Sequence, residues 1–219
     1  MTNLLKIDSS ARRTDNSESR YNSISKQLGS WFVDEWMSCN HPDSLIQRDL
    51  GLNPPSFISQ EWIASVFTSQ ERRTPEQHAL LEESDSLIDE LDQADVIIIT
   101  APMYNYGMPA VLKAWFDQVV RIDETFTFDL ARGDFPLEPI MSGKTLILLS
   151  SCGEFGFDPG GVREQMNHLG PHIGVISKYL GVENFYEIRS EYQEFADSRH
   201  QESLANARKE IIKLVNRLS

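Results

Sequence analysis

At 219 residues, 40% of them apolar and 24% charged, the chain has the composition of one globular domain able to bury a substantial core. Its net charge of −13 repels nucleic-acid phosphates and anionic membrane surfaces, so no nucleic-acid partner is expected. No apolar run approaches the ~20 residues of a membrane span and no secretory leader is evident, so no membrane association and a cytoplasmic location are expected; the two cysteines, Cys39 and Cys152, are too few for a disulfide framework and lack metal-ligand spacing.

In chain order, "NLLKID" (3–8) has strand character, "SSARRTDNSES" is a polar loop, and "SRYNSISKQLGSWFVDEW" (19–36) carries apolar residues at helical spacing. A second strand is expected at "SLIQRDL" (44–50), ended by the glycine and two prolines of "GLNPPSF". Residues 61–73 read as loop or short helix. "TPEQHALLEESDSLIDELDQA" (74–94) places threonine and proline in N-cap and first-turn order ahead of a helical stripe. "DVIIIT" (95–100) is a third strand, "MPAVLKAWFDQVVRID" (108–123) a helix, "ETFTFDLARGDFPLEP" an aromatic insertion, and "GKTLILLSS" (143–151) a fourth strand. A helix interrupted near Gly170 and Pro171, a short fifth strand "ENFYEIRS" (183–190) and a terminal amphipathic helix (198–218) complete the chain. Strands alternating with helices imply an α/β fold with a mainly parallel five-stranded sheet covered on both faces, because each parallel crossover needs a helix.

Open α/β sheets keep ligands beyond the carboxyl ends of their strands. Three loops there carry chemistry. The first holds Ser9, Ser10, Thr14, Ser17 and Ser19 ahead of a helix: it can cradle a phosphate, or Ser17 or Ser19 can simply cap that helix. Neither a G-x-G-x-x-G fingerprint nor a Walker pattern is present. The second holds Met103, Tyr104, Asn105 and Tyr106, suited to the edge of a planar ring or to plugging the sheet. The third, "SSCGEFG", offers Ser150, Ser151 and Gly153 as a permissive turn. In a sheet of order 2-1-3-4-5 these loops converge at the topological switch point, which favours a ligand over three separate structural turns.

Taken together, the serines after strand one, "APMYNYGMPAVLKAWFDQ", "TFTF" and "GKTLILLSSCG" resemble the FMN-dependent NAD(P)H azoreductases, also described as quinone reductases, over residues 6–186. The resemblance implies a flavodoxin-like fold, a single domain over 1–219, a homodimer, FMN as cofactor, NADH or NADPH as donor, and a quinone or azo compound as acceptor. It further implies that Ser10, Ser17 and Ser19 meet the FMN phosphate with Glu18 beside them. Pro102, Met103, Tyr104, Asn105 and Tyr106 would line the isoalloxazine, Ser151, Cys152 and Gly153 would meet its far edge, and Phe128 would shape the acceptor pocket. Glu18 stands where the family commonly has glutamine, and Cys152 and Glu154 replace the arginine and second glycine of a common S-R-G-G version. The chemistry is the cofactor's, with no catalytic side chain and no metal expected. Trp115, Phe116, Phe126 and Phe128 supply more aromatic surface than one sheet face needs, consistent with a second copy.

Rival readings use the same residues. An electron-carrying flavodoxin would have little need of the aromatic insertion between Asp123 and Phe135. A hydrolase using Ser151 or Cys152 would need a placed base; His168 and His172 are the candidates, and "HLGPH" also spaces two imidazoles as a helical metal site does, with Gly170 and Pro171 undermining that helix. The run "EYQEF" (191–195) reads as a solvated acidic face.

Overall fold

The computed structural model describes residues 2–39, 42 and 44–218. Five parallel strands, β1 (Asn3–Asp8), β2 (Ser44–Asp49), β3 (Val96–Pro102), β6 (Lys144–Ser151) and β7 (Val182–Ser190), form one sheet of order β2-β1-β3-β6-β7. The intervening β4 (Phe126–Phe128) and β5 (Leu137–Pro139) pair as an antiparallel hairpin outside it. Counting only the sheet's own strands, this is the expected 2-1-3-4-5 arrangement.

The central strands are apolar at successive positions because both faces are covered. Leu5, Ile7, Ile97, Ile99, Leu146 and Leu148 point to the face packed by α3 (Pro75–Gln93) and α4 (Ala110–Val119). The alternate residues Leu4, Ile98, Ile147 and Leu149 meet α1 (Ile24–Cys39) and α6 (Ser198–Leu218) through Leu28, Phe32, Ile211 and Leu214. A one-residue slip in any strand would exchange these two sets, which fixes the register. Among the described residues no helix is long and apolar enough to cross a membrane.

Local chemistry sets the element ends. Thr74 Oγ1 accepts from Gln77 N (3.3 Å) while Gln77 Oε1 accepts from Thr74 N (3.0 Å), a reciprocal cap with Pro75 at the first helical position, as the Thr-Pro order predicts. The 61–73 stretch resolves into α2 (Gln60–Val66), capped by Ser59, and a following 3-10 turn. Helix α4 stops well short of residue 123 because Thr125 Oγ1 accepts from Arg121 N (2.9 Å) and donates to Val119 O (3.0 Å), closing the last turn. Helix α1 begins at Ile24 rather than near residue 19: Ser19–Tyr21 form a 3-10 turn, and Ser23 Oγ, not Ser17 or Ser19, accepts from Lys26 N (3.3 Å) in the first turn.

Gly170 and Pro171 do not interrupt a helix; they begin α5 (Gly170–Ile176), where the backbone N–H that proline lacks would have had no intrahelical acceptor. Glu187 packs closely over Gly170: a Cβ there would lie 2.1 Å from Glu187 Oε2 and would force that carboxylate to shift. Trp115 and Phe116 also differ from expectation. Both are about 1% exposed and pack edge to face in the protomer's own core. Among the exposed apolar side chains, Phe57 and Phe67 flank α2, and Leu130 and Phe135 lie in the hairpin.

Candidate functional site

Four loops, not three, meet at the carboxyl ends of the strands, and backbone hydrogen bonds stitch them together. Met103 N donates to Ser151 O (2.8 Å), Cys152 N to Ser190 O (2.8 Å), Gln193 N to Cys152 O (3.1 Å) and Glu194 N to Gly153 O (3.1 Å). Between them lies a cleft of about 360 Å³. Ser10, Arg12, Arg20, Tyr21 and Ser23 form one end; Pro102, Met103, Tyr104, Ser151, Gly153, Gln193 and Glu194 form the other. A second cavity of about 310 Å³ shares Met103, Gly153 and Glu194 with it and adds Asn105, Tyr106, Cys152, Glu154 and Phe157.

At the first end, Ser9 is anchored by its N–H (3.0 Å) and hydroxyl (2.8 Å) to Thr100 O, which turns the chain so that buried Ser10 faces the cleft and accepts from Arg12 N (3.1 Å). Gly51 packs behind this turn, where a Cβ would fall 2.0 Å from Ser10 O. Ser17, Glu18 and Ser19 are exposed and line neither cavity. Glu18 pairs with Arg20 (2.8 Å), whose guanidinium also lies over the Tyr21 ring. Sequence reasoning missed Arg20, Tyr21 and Ser23 as lining residues; for Ser23 the signal was present, a serine directly before the first periodic apolar residue of α1.

After β3 the chain makes a two-residue turn: Tyr104 and Gly107 exchange reciprocal backbone hydrogen bonds of 3.0 Å, and Asn105 (φ 47°) and Tyr106 (φ 67°) both lie in the left-handed region. Asparagine tolerates this; a tyrosine is destabilised there by ~1–2 kcal/mol. Tyr106 is held nevertheless. Its hydroxyl donates to Glu154 Oε2 (3.0 Å), its carbonyl accepts from His168 N (2.9 Å), and its ring tilts on Phe157. Glu154 also pairs with Arg163 (2.9 Å), and its carboxylate holds the Tyr106 phenol above the ordinary tyrosine range. The turn that presents Asn105 is thus braced from the β6 loop by the residue that departs from S-R-G-G.

The acidic run 191–195 is only partly a solvated face: Glu194 and Phe195 are exposed, but Glu191 and Tyr192 are engaged. Glu191 Oε1 accepts from Gly156 N (3.1 Å) and Phe157 N (3.3 Å), and Tyr192 stacks on Phe155 at 4.5 Å between centroids. Phe128 lies elsewhere, half exposed, in a separate apolar cavity of about 480 Å³ with Trp62, Val66, Phe67 and Phe126.

Cys152 is poorly placed as a nucleophile: it is buried, its sulfur lies 4.0 Å from Met103 Sδ, and burial pushes its thiol from an ordinary 9.0 up to about 12. His168 precedes α5 and His172 lies within it, so the two imidazoles do not share a helix. A thiol reagent at pH 8 is therefore expected to modify exposed Cys39 alone in the folded protein and both cysteines after unfolding. Two fast-reacting thiols in the native state would show that Cys152 is accessible.

The residues present suit a flat, phosphorylated ligand. Ser10 N and Ala11 N at one end, and Asn105 N and Gly153 N at the other, donate to no acceptor among the described residues. Such free N–H groups fit phosphate oxygens and the carbonyl rim of a flavin ring, and Arg12 and Arg20 add positive charge at the phosphate end.

A parallel sheet of order β2-β1-β3-β6-β7 with a ligand cleft at the ends of β1, β3 and β6 defines a doubly wound nucleotide-binding class. The chain belongs to the family described by a flavodoxin-like fold, whose model matches residues 2–215. It is 68% identical over 218 residues, covering the whole of both chains, to a protein of Colwellia psychrerythraea named FMN-dependent NADH:quinone oxidoreductase 2. It is 58% identical to a protein of the same name from Idiomarina loihiensis, over the whole of this chain and 91% of that one. Among solved structures, an FMN-dependent NADH-azoreductase from Bacillus anthracis in complex with FMN superposes with a TM-score of 0.83 at 18% identity, over 100% of this chain and 99% of that one, a likeness of fold.

Proposed function

We propose that the chain is an FMN-dependent oxidoreductase that uses NADH to reduce quinones, and azo compounds by the same route. The observation that carries this reading is the 68% identity, over the full length of both chains, to a protein named for that activity. The cleft's fit to a flat phosphorylated ligand supports it independently.

When bound, FMN would supply two-electron redox chemistry linking the nicotinamide donor to the acceptor in ping-pong order. The chain binds and orients. Ser10, with the free N–H groups of its turn and the Arg12 and Arg20 side chains, holds the phosphate. Ser17 and Ser19 border that loop, and Glu18 acts through Arg20, its ion-pair partner. Pro102, Met103 and Tyr104 provide an apolar bed for the ring, while Asn105 and the turn over Ser151, Cys152 and Gly153 read its polar rim. The backbone hydrogen bonds between the four loops hold these groups in register with one another. No side-chain acid or base is required.

The purified protein should carry a flavin absorbance spectrum that NADH bleaches and a quinone restores. A protein without flavin, or with flavin that NADH does not reduce, overturns the reading; bleaching without reoxidation by quinones would point to an electron carrier.

The working form we propose is a homodimer in the cytoplasm. Phe57, Phe67, Leu130 and Phe135 are 75%, 74%, 74% and 86% exposed on α2, its approach and the hairpin, a concentration of apolar surface unusual for a monomer. A second copy covering this face would also bring Phe128 to an acceptor site. Light scattering at micromolar concentration should give the mass of two chains; a single-chain mass with FMN bound would overturn the proposal.

A further inference from the structure

The turn after β3 holds two residues with side chains in a conformation that favours glycine. Asn105 (φ 47°) tolerates it, but Tyr106 (φ 67°) does not, while the glycine next to them, Gly107, has no positive φ. Strain of this kind persists only where the surroundings over-determine it. Apart from the His168 N bond to its carbonyl and the lean of its ring on Phe157, Tyr106 is held by its hydroxyl, which donates to Glu154 Oε2 (3.0 Å). That contact ends on a fixed post. Glu154 Oε1 pairs with Arg163 (2.9 Å), and Arg163 donates from Nη1 to Phe155 O (3.1 Å) and lies 4.6 Å over the Phe155 ring. The Glu154 carbonyl accepts from Tyr192 N (3.0 Å). Asn105, whose N–H has no acceptor among the described residues, lines one cavity with Tyr106, Gly153 and Glu154.

We infer that Glu154 is a positioning residue for the flavin: by holding the Tyr106 hydroxyl it keeps the Asn105–Tyr106 turn left-handed, and the turn aims Asn105 at the polar rim of the ring. The inference rests on the flavin reductase reading above and adds to it a residue that acts through another. Its physical step is the rotation of one peptide. If Tyr106 leaves the left-handed region, the plane joining residues 105 and 106 must turn, because a trans peptide is rigid and only φ and ψ can absorb the change. Asn105 then loses its bearing on the ring, and the two 3.0 Å hydrogen bonds between Tyr104 and Gly107 that close the turn loosen with it.

The test measures the effect of Glu154→Ala in three backgrounds: the natural chain, Tyr106→Phe, which removes the hydroxyl, and Tyr106→Gly, which removes the strain. In the natural chain Glu154→Ala should weaken FMN and riboflavin alike by about fivefold, the equivalent of ~1 kcal/mol for one partly exposed hydrogen bond, and should shift the absorption band of the bound flavin. In either other background it should change flavin binding no further, as expected of residues that act as one unit. Glu154→Gln, whose amide oxygen still accepts from the hydroxyl, should keep most of the affinity. In the flavin-free proteins, Glu154→Ala and Tyr106→Phe should both quicken hydrogen exchange at the Tyr104 and Gly107 amides while Ile97 to Ile99 in β3 stay protected. A fivefold loss that persists in both Tyr106 variants would mean that the carboxylate acts on the flavin directly, and would overturn the inference; so would the absence of any loss in the natural chain. Flavin that binds but is not bleached by NADH overturns the reductase reading and leaves this inference standing, whereas a protein that takes up no flavin overturns both.

Discussion

Replacing Arg189 by methionine is expected to lower the stability of the fold by about 3–5 kcal/mol, the range for removing one partner of a buried ion pair. The guanidinium is 6% exposed, with Nη2 2.6 Å from Glu187 Oε1 and Nη1 2.8 Å from Asp158 Oδ1, and Glu191 lies 3.8 Å away. Burial, the largest single influence, opposes its charge, but the charge and hydrogen bond of Glu187 together with the other negative groups around it, Asp158 among them, hold Arg189 above the ordinary arginine range. The partners matter more than the arginine. Glu187 also accepts from Ser150 Oγ (3.0 Å), and Glu191 holds the backbone N–H groups of residues 156 and 157, so both loops flanking Cys152 are anchored on this cation. Asp158 is largely solvated and adds little. Urea unfolding measures the loss; Arg189→Lys, which keeps the charge and loses the forked contact, should show a smaller one. A loss under about 1 kcal/mol for methionine would mean that Glu187 and Glu191 reach water in its absence.

The elements that could be read directly from the chain are those whose signal is local. β1 and the terminal helix match residues 3–8 and 198–218 because a short, nearly continuous apolar run and a strong amphipathic stripe are intrinsic to those segments. The Thr-Pro start of α3 is likewise a property of adjacent residues. The site was legible where it lies on the turns following β1, β3 and β6, since carboxyl-end loops of such a sheet must converge. What stayed hidden depends on tertiary placement. Glu191 and Glu194 look like surface charge until β7 pairs beside β6 and carries their loop to the cleft. Trp115 and Phe116 suggested an interface because a sequence does not reveal how much core a helix has to fill. The paired positive φ of Asn105 and Tyr106 carries no compositional signal, because the second position lacks the glycine such turns favour.

Gly51→Ala is expected to strike the phosphate end of the cleft from behind. The added Cβ would sit 2.0 Å from the Ser10 carbonyl oxygen and 2.8 Å from its carbon, and a backbone neighbour cannot swing aside as a side chain can. Either the loop after β2 or the Ser10 turn must move, with a loss of about 3 kcal/mol, the upper part of the range for overpacking. If the turn yields, Ser10 and the free N–H groups beside it leave their places, and FMN should bind at least tenfold more weakly, as expected when about 1.4 kcal/mol of phosphate interaction is lost. Riboflavin, which lacks the phosphate, separates the two effects: its affinity should change much less than that of FMN. Gly174→Ala serves as the control. It lies in α5 with nothing within 4 Å of the new Cβ, so alanine should stabilise that helix by roughly 0.5–1 kcal/mol and leave both flavins unaffected. Flavin titration by fluorescence quenching, with urea unfolding of the flavin-free proteins, reads every arm. If Gly51→Ala weakened FMN and riboflavin equally, the phosphate would have to be held by residues other than the Ser10 turn.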